Sequence, residues 1–325
     1  MRIDCQTHVL PHSYISILVQ NPQSPRVVED GDDWVVMIGD RPALRMQAEN
    51  FDIQRKIKTM DAAGIDMALL SPNIPGPCAL APELALKGAQ TINNDMAETI
   101  QKYPGRFAGI AALPWQNAAE AIQEIDRTRD ELGFCAVMLF SNIGGRPVDD
   151  PDFEPIYAHA ETKNLPIVIH PTFPSWGAAV RDYMMIPMMG FQVDSSFALL
   201  RLILGGILAR HPHLKILMPH VGGVLPYVID RIDYQTEVMG RGRDNITEAP
   251  SRYLKRVYMD TVSPSARAVK YAYDFAGVDH LLFGTDHPWI KTQLYVDLIE
   301  GLDIPEAEKA LIFSENAKKL FGLGS

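Results

Sequence analysis

Two apolar patterns alternate along this chain. Short runs rich in β-branched and large aliphatic residues occur at Arg2 to Gln6, Met67 to Ser71, Phe107 to Leu113, Ala136 to Phe140, Pro166 to His170, Lys215 to Pro219, Val257 to Asp260 and Leu281 to Thr285. Runs of this length and composition read as buried strands. Between them, apolar residues return three and four positions apart, as in Ile53, Ile57 and Met60, in Ala119, Ile122 and Ile125, and in Leu199, Leu202, Ile203 and Ile207. That spacing belongs to helices that bury one face. Eight such strand and helix units in 325 residues predict the α/β class and a (β/α)8 TIM-type barrel forming one domain over residues 1–325, rather than an open doubly wound sheet. No Gly-x-Gly-x-x-Gly follows the first run, so a dinucleotide fold loses its main sign.

One stretch interrupts the alternation. Residues 24–48 contain two β-like runs, Arg26 to Glu29 and Trp34 to Ile38, around an Asp30-Gly31 turn and followed by a second turn at Gly39-Asp40. The pattern predicts a small β insertion after the first strand. In a barrel this position lies over the C-terminal mouth, where an insertion can wall or cover a substrate site.

Composition narrows the possible roles. With 47% hydrophobic and 22% charged residues the chain can bury a large core. A formal net charge of −10 with no basic patch argues against nucleic acid as a partner. Cys5, Cys78 and Cys135 form no Cys-x-x-Cys pair or disulfide framework, which fits a reducing cytoplasm. Asp4 stands where a signal peptide would enter its apolar region, and no uncharged run approaches the roughly 20 residues that span a bilayer. Neither export nor membrane insertion is expected.

Candidate chemistry gathers at the ends of the strand-like runs. His8 lies just past the first, His170 ends Ile167-Val168-Ile169, His220 follows Ile216 to Pro219, and Asp286 follows Leu281 to Thr285. A buried strand ending in a polar side chain aims it at the C-terminal face of a parallel sheet, where such enzymes build their active sites. Taken alone, His170 fits equally well as a buried histidine bonded to a carbonyl. Asp286 tips the balance toward a site, because a carboxylate at the end of a buried run needs a cation or several donors. His220 precedes Val221-Gly222-Gly223 and suits either a ligand or a general base. Strand alternation places Asp4, Gln6 and His8 on one side.

These residues and their surroundings carry a family resemblance. Ile3-Asp4-x-x-x-His8-Val9-Leu10-Pro11, Lys58-Thr59-Met60-Asp61-Ala62-Ala63-Gly64-Ile65, Pro104-Gly105-Arg106-Phe107, His170-Pro171, His220-Val221-Gly222-Gly223 and Gly284-Thr285-Asp286-His287-Pro288 resemble the amidohydrolase superfamily. More narrowly they are similar to its aminocarboxymuconate semialdehyde decarboxylase branch, over nearly the whole chain. The resemblance implies a barrel with one divalent metal ion at the mouth, zinc first and manganese second. It implies that His8, His170 and Asp286 are metal ligands, with Gln6 beside them, and that His220 and Asp286 are catalytic. It also implies that Arg231 reaches the substrate carboxylate of a neighbouring subunit, hence a homodimer. The residue pattern alone leaves Asp230-Arg231-Ile232-Asp233 open as a salt-bridged helix face.

Three departures from the branch are visible. Gln6-x-His8 stands where the decarboxylase has His-x-His, so a neutral amide oxygen replaces an imidazole and metal binding at that corner should weaken. A substrate arginine expected before Glu49-Asn50 is replaced by Ala48, leaving Arg45 as the candidate substrate contact. An aromatic residue expected after His170 is replaced within Tyr183-Met184-Met185, and the run from Met184 to Met189 suggests a soft apolar wall. The expected function is metal-dependent, non-oxidative decarboxylation of a small aromatic or unsaturated carboxylic acid. The alternatives are a hydrolase or hydratase using the same metal on an ester, lactone, amide or conjugated double bond, and a binding protein that has lost catalysis.

Overall fold

The strands in chain order are β1 (Ile3–Val9), β2 (Arg26–Asp30), β3 (Asp33–Ile38), β4 (Arg41–Gln47), β5 (Met67–Pro72), β6 (Phe107–Ala111), β7 (Ala136–Phe140), β8 (Ile167–His170), β9 (Ile216–Met218), β10 (Tyr258–Asp260) and β11 (Leu281–Leu282) in a computed structural model that describes residues 1–324. Eight of them form one parallel sheet in the order β1-β5-β6-β7-β8-β9-β10-β11. All eight strand-like runs of the sequence therefore lie in this sheet.

Helices return the chain between strands: α1 (His12–Leu18), α2 (Ile53–Ala62), α3 (Pro82–Lys102), α4 (Ala118–Asp126), α5 (Glu154–Thr162), α6 (Phe191–Leu204), α7 (Ile207–Arg210), α8 (Leu225–Asp233), α9 (Pro250–Leu254), α10 (Ala266–Ala276) and α11 (Thr292–Glu300). Local chemistry sets several starts: the side chains of Asp52, Asn117 and Ser265 accept backbone N–H groups at the beginnings of α2, α4 and α10. The Leu199 to Ile207 stripe is divided between two helices. Gly206 at φ +79° ends α6 and turns the chain into α7, which carries Ile207.

The first strand meets the last segment across a seam. Cys5 N donates to Phe283 O at 2.9 Å, Asp286 N to Gln6 O at 2.8 Å and His8 N to His287 O at 2.8 Å. This ladder continues beyond β11, which itself covers only Leu281 and Leu282 of the longer apolar run. Asp4, buried in the seam, accepts from Thr285 N at 2.9 Å, Thr285 Oγ1 at 2.6 Å and Gln6 N at 3.2 Å. A register shift between Asp4 and Thr7 breaks the simple alternation expected for β1. Asp4 thus serves the seam, whereas Gln6 and His8 reach the mouth.

The insertion is a three-stranded antiparallel sheet, β2-β3-β4, with one strand more than the two runs foreseen. Its inner residues Val27, Trp34, Val36 and Met46 are buried in the main core. Burying such side chains contributes about 1.5–3 kcal/mol each, so the insertion is packed onto the barrel rather than suspended from it. Among the described residues no helix is long and apolar enough to cross a membrane.

Asp4→Ala removes the acceptor of three seam donors. It is expected to lower unfolding stability by about 3 kcal/mol or more, read as a lower urea midpoint. Asp4→Asn, which keeps an acceptor oxygen, is expected to cost less.

Candidate metal centre

Three strand exits converge at the C-terminal mouth. His8, His170 and Asp286 each bring one ligand atom to within 4.8 Å of the others. His8 Nε2 lies 2.9 Å from Asp286 Oδ1, and the His8 and His170 rings meet edge to face at 4.5 Å between centroids.

The tautomers follow from the neighbours. Ser71 Oγ donates to Thr7 O at 2.9 Å, so at 3.0 Å it accepts from His8 Nδ1. His170 Nδ1 donates to the Pro171 carbonyl at 2.8 Å. Both Nε2 atoms then present lone pairs to the cluster, the arrangement in which an outer partner orients a metal-binding imidazole. Burial drives the His8 pKa down to about 3, with Lys56 adding to the effect, and holds His170 well below its ordinary value. Burial raises the Asp286 pKa despite the nearby His220 and His170. Two neutral imidazoles and a carboxylate that is costly to ionise without a counter-charge make a donor set suited to a divalent cation.

Gln6 completes one corner. Its Nε2 lies 3.3 Å from Asp286 Oδ1 and 3.5 Å from His220 Nε2. Turning the terminal amide over presents Oε1 to the same space, so Gln6 can add a neutral oxygen donor. His220 stands beside the cluster, with Nε2 3.9 Å from Asp286 Oδ2 and a buried Nδ1 that has no partner. Burial lowers its pKa, Asp286 opposes that shift, and His8 reinforces it.

His220 is projected by an unusual turn. His220 and Val221 have φ of +56° and +52°, followed by Gly222 at +84° and Gly223 at +63°. Left-handed geometry at a histidine and a β-branched valine costs about 1–3 kcal/mol per residue. A Cβ on Gly222 would stand 2.8 Å from Met259 Sδ and from Pro226 Cγ. Asp286 is also left-handed, at φ +56°, and its N–H is tied to Gln6 O across the seam.

The cluster opens into a cavity of about 330 Å³ lined by His170, His220, Asp286 and a largely apolar wall that includes Leu44, Ile74, Phe191, Val262, Trp289 and Tyr295. Leu44, on β4, is the lining residue contributed by the insertion. Arg45, the candidate substrate contact, does not reach the cavity. Strand alternation turns Arg45 away from Leu44, and its guanidinium pairs with Asp30 and, at 3.2 Å, with Asp33. The methionine run also departs from expectation: Met184, Met188 and Met189 are exposed, and Pro187 is the part of that run lining the cavity. Tyr183 is exposed as well. Arg231 lies exposed on α8 with no ion-pair partner among the described residues, so the salt-bridged helix face is not what the fold forms. Among the described residues, no lysine or arginine lines the cavity.

Several supporting residues escaped the reading of the sequence. Lys56 is buried, with Nζ 2.6 Å from Thr7 Oγ1 and 2.8 Å from His287 Nδ1, and burial lowers its pKa. Its position in the stripe Ile53, Lys56, Ile57, Met60 was the available signal, a charge on the face that packs inward. Asp260 ends an apolar run in the same manner as His170, and that rule could have found it. Its Oδ1 accepts His220 N at 2.7 Å and Val262 N at 3.0 Å, while burial pushes its pKa up to about 8.

Eight parallel strands enclosed by helices, with a His-His-Asp cluster at their carboxyl ends and a histidine beside it, define a metal-binding barrel of the amidohydrolase type. The chain belongs to the amidohydrolase family, whose profile matches residues 3–323. It is 31% identical to the gamma-resorcylate decarboxylase of a Rhizobium species, over 86% of this chain and 90% of the relative. The crystal structure of 5-carboxyvanillate decarboxylase from Sphingomonas paucimobilis superposes with a TM-score of 0.89 at 28% identity, covering 99% of both chains. A dihydroxybenzoic acid decarboxylase from a Polaromonas species, solved with bound manganese and the inhibitor 2-nitroresorcinol, gives a TM-score of 0.84 at 26% identity over 99% of this chain and 97% of that one.

Elemental analysis of protein purified without chelator is expected to find about one divalent ion per chain. His170→Ala and Asp286→Ala should each reduce it to background, and Gln6→Glu should bind it more tightly by adding a negative charge beside the cation.

Proposed function

We propose that the protein is a metal-dependent, non-oxidative decarboxylase of a small aromatic carboxylic acid. The observation that carries this reading is the juxtaposition of the His8, His170 and Asp286 cluster with His220 at one end of an apolar, aromatic-walled cavity. Flat apolar walls suit a ring, and the polar end suits its carboxylate and hydroxyl groups. The related decarboxylases of gamma-resorcylate and 5-carboxyvanillate support the same chemistry.

His8, His170 and Asp286, with Gln6 beside them, would hold a divalent cation, which would supply positive charge to offset that of the substrate carboxylate and of the ring as carbon dioxide leaves. The donor set contains nitrogen and oxygen and no thiolate, and suits manganese as well as zinc. His220 moves the proton. Its neutral imidazole takes a proton from a substrate hydroxyl or water, with the Asp286 carboxylate 3.9 Å away to offset the imidazolium charge. As the bond to the carboxyl carbon breaks, its electron pair stays on the ring carbon, carbon dioxide leaves, and the proton returns to that carbon. Phe191, Trp289 and Tyr295 hold the ring and exclude water from the developing charge.

The missing cation in the cavity wall is assigned to a second subunit. Arg231 is exposed and without an ion-pair partner among the described residues, and Tyr227 and Tyr234 on the same segment are exposed too. A homodimer that covers this surface and directs Arg231 to the partner's cavity gives the substrate carboxylate a bidentate partner. Three free cysteines, two of them buried, fit a reducing cytoplasm.

Carbon dioxide release from 2,6-dihydroxybenzoate, 6-methylsalicylate and 5-carboxyvanillate tests the reaction; no release from any of them or from a wider panel of aromatic acids would sink it. His220→Asn is expected to lower kcat by about 10²–10⁴-fold with metal content unchanged. For Arg231, mixing the two inactive variants His220→Asn and Arg231→Ala is expected to restore turnover, because one site of the mixed dimer has both residues. If activity does not return on mixing, Arg231 does not act across subunits.

A further inference from the structure

We infer that Asp260 is a positioning residue for proton transfer: its side-chain oxygen holds the left-handed turn that aims His220 at the cavity. The inference rests on the reading of His220 as the proton carrier. His220 has no regular strand to fix it, since β9 ends at Met218. The chain then enters four consecutive positive-φ residues, of which only Gly222 and Gly223 adopt that geometry without penalty. Something must hold His220 and Val221 there. Asp260 sits at the end of the adjacent strand β10 and is buried to 1% exposure. Its Oδ1 accepts the amide of His220 at 2.7 Å and that of Val262 at 3.0 Å. One oxygen therefore pins the backbone of the proton carrier to Val262, two residues past the end of β10, and Val262 itself lines the cavity. On the far side, Gly223 N donates to His220 O at 3.0 Å and Val224 N donates to Ser196 Oγ at 2.9 Å, closing the turn onto α6.

Asp260 does not line the cavity. Its effect on catalysis passes through the backbone of His220, and what matters is an acceptor oxygen at that place. Asparagine keeps such an oxygen with the same shape, whereas alanine removes it and frees the turn to relax toward right-handed geometry. A displacement of about 1 Å at a catalytic group costs on the order of 100-fold in rate.

The experiment compares Asp260→Ala and Asp260→Asn in the metal-loaded protein, following kcat, KM and metal content together. Asp260→Ala is expected to lower kcat by about 100-fold with KM and metal stoichiometry near wild type, and Asp260→Asn to recover most of the loss. A general structural role would instead lower KM performance, metal content and kcat together. Wild-type kcat in Asp260→Ala, or equal losses in the two variants, overturns the inference. Should Asp260→Ala not fold, Asp260→Leu, which fills the same buried space without an acceptor oxygen, replaces it beside Asp260→Asn, and the same outcomes decide. His220→Asn separates the two readings: if it retains turnover, the proton-transfer role falls, whereas an inactive His220→Asn beside a fully active Asp260→Ala removes only the role of Asp260.

Discussion

Everything at the mouth depends on the seam where the first strand closes on the last segment. His8 and Asp286 stand on opposite sides of it, and the same backbone bonds that join the two sides, Asp286 N to Gln6 O and His8 N to His287 O, set their spacing. Closing the barrel and assembling the metal centre are therefore one event. The seam is supported by polar groups from both sides. Asp4 gathers the amide and hydroxyl of Thr285, and Lys56 ties Thr7 to the His287 ring. Buried polar networks of this kind are stabilising only when every member is satisfied, which makes the register of the seam narrowly specified.

The electrostatics of the site ask for a cation. Burial makes both ligand imidazoles neutral and makes ionised Asp286 expensive. A divalent ion held there would reverse the second effect and exploit the first. The cavity beyond the cluster is largely apolar, so a positive charge at its floor would be little screened. An aromatic acid meets opposite demands at its two ends, and the division of the cavity into a charged floor and apolar walls answers both. No lysine or arginine stands in those walls among the described residues, which is why a cation from outside the cavity is proposed.

Much of this was legible in the chain. The eight strand runs, the helix stripes and the residues His8, His170, His220 and Asp286 followed from apolar periodicity and from polar side chains placed just past buried runs. What escaped was set by tertiary register. Arg45 could not be assigned a direction until β4 was paired with β3, since one step along a strand exchanges the cavity for the acidic outer face of Asp30 and Asp33. The run from Met184 to Met189 read as a wall, yet the fold leaves Met184, Met188 and Met189 exposed. Lys56 and Asp260 were missed for a different reason: each obeyed a rule already in use, but a charged side chain within an apolar pattern invites the reading of an exception.

The four functional side chains divide into two mechanical classes. His8 and His170 belong to regular strands, β1 and β8, and their outer nitrogens are fixed by Ser71 and the Pro171 carbonyl. Asp286 and His220 sit at left-handed backbone positions and depend on bonds from elsewhere, to Gln6 O and from His220 N to Asp260. Strain of this sort persists only where the surroundings over-determine it. The division cuts across the cluster itself, since Asp286 shares the left-handed backbone geometry of His220. On the proposed reading of His220 as the proton carrier, a turn held from both sides would present its ring at a point no strand reaches and keep it from relaxing away. The conformational cost at His220 and Val221 would then be the structural counterpart of catalytic aim.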